Sequence, residues 1–133
     1  MRPHLAVAAL LAVSLVATVA FAASGKVDAQ FQSFAASGVS GTATLNEMPT
    51  GEVQIHASLR GLQPNTEYVA VIYDQSLTCG EGTSSLQIIQ FDANPAGVAT
   101  WNQKVARGLA TIQSIGIRFV PDNSLKACAT VTQ

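Results

Sequence analysis

Residues 52–59 alternate without a fault. Val53, Ile55, Ala57 and Leu59 fall on one side, and Glu52, Gln54, His56 and Ser58 on the other. Only an extended strand, whose side chains change face at every residue, gives such a segment one dry and one wet surface. The same period marks residues 27–34, through Val27, Ala29 and Phe31, and residues 41–48, through Ala43 and Leu45. Further strands are predicted at 67–73, 86–92, 97–105, 112–120 and 127–132. Pro49-Thr50-Gly51, residues 61–65 and Asn94-Pro95-Ala96-Gly97 separate them with turn chemistry. The last of these predicts a hairpin-like pairing of 86–92 with 97–105. No helical period is long enough to place a helix after residue 26. About eight short antiparallel strands at regular spacing imply an all-β domain, a Greek-key β-sandwich or flattened barrel. Trp101, with Ala99 on the same face, is expected to fill its core.

The leading residues read as a targeting segment rather than a structural element. Arg2 is followed by an apolar stretch at 5–21 and by Ala20-Phe21-Ala22, the small-x-small pattern of a cleavage site. The competing reading is a retained membrane anchor, since ~20 apolar residues span a bilayer. Alanine richness and the cleavage pattern favour removal. The organisation is then a signal peptide at 1–22 and one domain at 23–133. The protein is expected to be secreted or periplasmic, touching membrane only through the signal. The 48% hydrophobic content is inflated by this segment and does not imply a membrane protein. Charge is almost balanced, at −1, and Lys26, Arg60, Lys104, Arg107, Arg118 and Lys126 form no basic stripe. Nucleic acid is therefore not an expected partner.

Two cysteines in an exported chain most simply form one disulfide, Cys79 to Cys128, with two free buried thiols as the alternative. Such a bond closes a loop of about 50 residues and contributes roughly 4 kcal/mol in the chain-entropy model. Without a Cys-x-x-Cys spacing the bond is structural. Cys79 lies in a polar, glycine-rich stretch at 74–85 that interrupts the strand rhythm. Gly80-Glu81-Gly82-Thr83 has the composition of a phosphate loop, but it does not lead from a strand into a helix. A disulfide-pinned surface loop is the favoured reading. Residues 106–111 read as a plain crossover.

Three fragments occur in a telling order: Gly61-Leu62-Gln63-Pro64, then Asp92-Ala93-Asn94-Pro95-Ala96-Gly97-Val98-Ala99, then Ser124-Leu125-Lys126-Ala127-Cys128. Over residues 41–131 the chain resembles the copper/zinc superoxide dismutase family. The resemblance implies that family's Greek-key sandwich, with a disulfide joining the long loop to the last strand. It also implies metal ligands that are missing. Where the family places His-x-His on one strand, this chain has Ala70 and Ile72, and where a further copper histidine follows two hydrophobic residues it has Pro121. Residues 80–85 hold no zinc-ligand histidine, and Leu125 occupies the position of the superoxide-steering arginine. The resemblance thus points to a divergent member without the metal-ligand histidines.

Residue supply leads to the same place. Beyond the targeting segment the chain has His56, Met48 and two cysteines expected to be oxidised, too few donors for copper or zinc. His56 is read as a surface residue, and a calcium site from Asp74, Glu81 and Asp92 lacks ligand spacing. Ser124 and Lys126, two apart, are a weak nucleophile–base pair, and a hydrolase is a third, minor reading. Tyr68, Ala70 and Ile72 share one face of their strand, and Val69, Val71 and Tyr73 the other. The first set is either covered core or an apolar binding strip for a protein, a small apolar ligand or a second copy of the chain. The functional expectation is an exported, non-catalytic binding or structural module without metal or other cofactor. The alternative is a divergent superoxide dismutase-related protein in metal binding or superoxide defence.

Overall fold

The computed structural model describes residues 25–80 and 85–132. The targeting segment, Glu81, Gly82 and Thr83 lie outside the described residues. Eight strands follow in order: β1 (Lys26–Ser33), β2 (Ser40–Glu47), β3 (Val53–Arg60), β4 (Glu67–Tyr73), β5 (Ser85–Asp92), β6 (Ala99–Val105), β7 (Ser114–Phe119) and β8 (Ser124–Thr130). All ladders are antiparallel, and the strands run β5-β4-β7-β8-β1-β2-β3-β6 across one strongly curved sheet. The chain is therefore an all-β flattened barrel or sandwich. Among the described residues no helix is long and apolar enough to cross a membrane.

Alternation does the folding work. On β3, Val53, Ile55, Ala57 and Leu59 are buried, while His56, Ser58 and Arg60 are exposed. Ladder register keeps like with like: Leu45 of β2 stands opposite Ile55, and Ala43 opposite Ala57. Leu45, Ile55, Leu59, Ile72, Ile112, Ile115 and Ile117 form the fully buried centre. Each such side chain contributes about 1.5–3 kcal/mol on leaving water.

Two of the fragments singled out in the sequence interlock. Leu62 N donates to Gly97 O at 3.0 Å, Asn65 N to Ala93 O at 3.1 Å, and Ala93 N to Thr66 O at 2.9 Å. Gly61 and Gly97 both adopt left-handed backbone, with φ of 73° and 72°. A Cβ on Gly61 would meet Gly38 O at 2.1 Å, and one on Gly97 would meet Leu62 O at 2.4 Å, so glycine is required at both. The Asn94 side chain closes its own turn, Oδ1 accepting from Ala96 N and Val98 N, each at 2.9 Å.

That turn does not make a hairpin. β5 and β6 are the two outermost strands of the sheet, and no ladder joins them. Each pairs instead with an earlier strand, β5 with β4 and β6 with β3. Aromatic rings bridge the seam between them: Phe91 of β5 lies 6.2 Å from Trp101 of β6, and Tyr68 lies 6.0 Å from Phe91 and 5.5 Å from Phe119. Trp101 is core, as its strand position implies, with Nε1 buried and unpartnered. Two smaller departures concern the end of the chain. β8 begins at Ser124 rather than 127, because a register shift at Ile117/Arg118 lets Leu125 pair with Arg118. The crossover at 106–111 holds a single 3-10 turn, Leu109–Thr111.

Candidate functional site

β4 is flanked by β5 and β7 and is buried on both faces. Tyr68, Ala70 and Ile72 are 2%, 0% and 0% exposed, so the strip is core and not an accessible binding surface. The physical reason is position: the inward face packs into the core that the other strands of the curved sheet enclose. Tyr68 keeps one polar task, its hydroxyl accepting from Gln63 N at 2.8 Å. The outward face of β4 carries Val69, Val71 and Tyr73. Neither face offers an imidazole, thiolate or carboxylate within the span 68–73. Pro121 is exposed in the turn after β7. Among the described residues no three His, Cys, Asp or Glu side chains come together.

The other candidates are separated. His56 projects from β3 into solvent, with Nδ1 2.8 Å from Asn102 Oδ1. Ser124 Oγ donates to Asp122 at 2.6 Å, while Lys126 Nζ lies 5.3 Å from the Phe119 ring centroid, so the two form no dyad. Asp74 is held by Arg107 at 2.9 Å and Asp92 closes β5, while Glu81, the third member of the calcium candidate, lies outside the described residues.

What the structure does assemble is the outer face of β4, β7 and β8 beneath the segment that carries Cys79. Cys79 and Cys128 are joined, with their Cα atoms 6.0 Å apart. Ser114 of β7 is fully buried under this segment, accepting from Cys79 N at 3.2 Å and donating to Ser76 O. Thr130 of β8 donates to Leu77 O at 2.7 Å. Gly116 makes the close approach possible: a Cβ there would stand 2.8 Å from Tyr73 Cε2 and 3.4 Å from Cys79 Cβ.

Arg118 completes the face. It is 8% exposed, and donates from Nε to Tyr73 Oη at 2.8 Å and from Nη1 to the Asn123 carbonyl at 2.9 Å. Both acceptors are neutral. The ion pair between Arg107 and Asp74 does not involve it, and among the described residues Arg118 has no carboxylate partner. A buried cation held in place by neutral acceptors keeps its charge for whatever approaches. Sequence reading passed over Arg118, yet a signal existed. Ser114, Gly116 and Arg118 alternate with Ile115, Ile117 and Phe119, so two small residues and one cation share the face away from the core. Small residues on an outer strand face mark a place where another segment packs.

The chain matches no family model, and a search of curated proteins finds no match.

Proposed function

We propose that the chain is an exported, non-catalytic binding module without metal, built on a superoxide-dismutase-like scaffold. One observation carries the reading: β4, the strand on which the resemblance expects paired imidazoles, is apolar or phenolic on both faces from Tyr68 to Tyr73, and all of these residues but the half-buried Val71 are buried. Metal chemistry has no donors there to work with. The disulfide supports the scaffold and the compartment together. It runs from the segment after β4 to β8, the connection the resemblance implies, and such bonds persist in oxidising surroundings. Separation of Ser124 from Lys126, and of His56 from either, supports a non-catalytic role.

Loading the purified protein with copper and zinc, followed by elemental analysis and a superoxide dismutation assay, tests this. The expected result is no stoichiometric metal and no dismutation. One tightly held equivalent per chain would overturn the reading and establish a divergent metal-handling or superoxide-defence protein in its place.

A further inference from the structure

We infer that a hollow beside the disulfide binds a small organic monocarboxylate, with the carboxylate on Arg118 and a short apolar body against Phe34 and Leu125. The hollow measures about 550 Å³ and is lined by Phe34, Ala35, Cys79, Arg118, Leu125 and Lys126 among others. That is within the usual span of small-molecule sites. Three independent observations select the ligand and the place.

The first is charge. Arg118 lines the hollow, and its two hydrogen bonds use two of the five guanidinium N–H groups. The rest of the fork is left for a guest, and its planar geometry suits a carboxylate bound through both oxygens. Lys126 also lines the hollow, but its ammonium turns to the Phe119 ring, 5.3 Å from the centroid, and leaves Arg118 as the cation that meets the guest. Asp122, the nearest acid in sequence, is not among the lining residues and accepts instead from Ser124 N at 2.9 Å and Ser124 Oγ at 2.6 Å.

The second is shape chemistry. Phe34 is 50% exposed, the most accessible large apolar side chain of the described residues together with Leu77. It stands at the rim, with Leu125 and Cys79 supplying further wall. A bare inorganic anion would leave that wall wet, whereas a carboxylate with an apolar body covers it.

The third is backbone strain. Among the described residues five non-glycine residues have positive φ, and four of them belong to this neighbourhood: Ala35 at 52°, Ala36 at 56°, Cys79 at 57° and Asn123 at 58°. Ala35 and Cys79 line the hollow, while Ala36 and Asn123 adjoin lining residues in the chain. Left-handed alanine is strained by its Cβ, and two in succession form a turn that glycine or asparagine ordinarily takes. The turn is over-determined by its surroundings. Ser37 N donates to Phe34 O at 3.1 Å, Phe34 N to Lys126 O at 2.9 Å, and Gly38 N to Ser33 Oγ at 2.8 Å. Strain held in this way concentrates at ligand clamps, and here it fixes Phe34 at the rim.

The inference gives a ligand class to the binding-module reading, but its test is separate from metal uptake. The full chain is titrated with phenylacetate and followed by amide NMR, with phenylacetamide and inorganic phosphate as controls. Saturable shifts are expected at Phe34, Arg118 and Leu125, with the amide and phosphate binding about tenfold or more weakly, as loss of a charge-assisted hydrogen bond or of apolar cover requires. Arg118→Gln with an unchanged circular dichroism spectrum is expected to lose about tenfold or more. Should that variant fail to fold, Phe34→Ser, at an exposed position, carries the test by weakening phenylacetate. No saturable shift, shifts centred elsewhere, equal binding of acid and amide, or phosphate binding as tight as phenylacetate would each overturn the inference.

Discussion

Arg118 Nε donates to the Tyr73 hydroxyl at 2.8 Å, and the same guanidinium carbon lies 5.9 Å from the Tyr73 ring centroid. One tyrosine, through its hydroxyl, thus holds the only nine-tenths-buried cation of the described residues. Tyr73→Phe keeps the ring and removes the acceptor, leaving the Nε proton without a partner beneath the Cys79 segment. The variant is expected to lose about 1–3 kcal/mol in a urea titration. Stability equal to that of the parent would mean that water replaces the hydroxyl and that the face is wetter than its packing implies.

Removal of the disulfide acts on the unfolded chain more than on the folded one. Cys79 and Cys128 are 49 residues apart, so paired Cys→Ser replacement frees a long loop and is expected to cost roughly 2–5 kcal/mol. Mass measurement of the alkylated parent, with and without reductant, checks the bond, and chemical denaturation checks its contribution. Two alkylated thiols in the unreduced native protein would refute it.

Ile72→Lys places an ammonium where the parent side chain is completely enclosed. A charge stranded there has no partner and no path to water, so the domain is expected to unfold. Circular dichroism and size-exclusion chromatography read the outcome. A folded, monomeric variant would contradict the burial of β4's inner face.

Asp122 is expected to titrate at low pH. Hydrogen bonds from the Ser124 side chain, then from the Ser124 backbone, hold its carboxyl below the usual aspartate range against an opposing desolvation, with the charge of Lys126 adding to them. A depressed folded-state value stabilises the fold above the unfolded pKa, and that contribution fades as pH falls through the folded value. Carboxyl NMR should place the midpoint low, and Ser124→Ala should raise it. A midpoint unmoved by Ser124→Ala would remove the hydroxyl as the cause.

How far the sequence reached can be seen strand by strand. β4 has the predicted bounds, and β3 differs by one residue at each end, because an apolar run and a strict alternation are local signals. The Asn94 turn was legible for the same reason, since its side chain bonds within its own segment. Its flanking strands were not: which edges β5 and β6 join is settled by β3 and β4, far away in the chain. Burial of the Tyr68–Ile72 face stayed open for a related reason, since an apolar strip reads alike whether another sheet covers it or not. Arg118 escaped notice because a lone arginine in a strand looks like a solvated residue. Only the neighbouring segment, pulled down by Cys79 over Gly116, encloses it.

The strand order has a consequence in time. β5-β4-β7-β8 and β1-β2-β3-β6 meet through the β1–β8 ladder alone, at Phe31↔Ala129, Gln32↔Cys128 and Ser33↔Ala127. As a chain emerges from its N-terminus, β1-β2-β3 and β4-β5 can pair before β6 and β7 join them, yet among the described residues no backbone ladder ties the two halves until β8 appears. The stitch therefore comes last. Because it contains Cys128, oxidation of the thiols and closure of the barrel are late events at the same place.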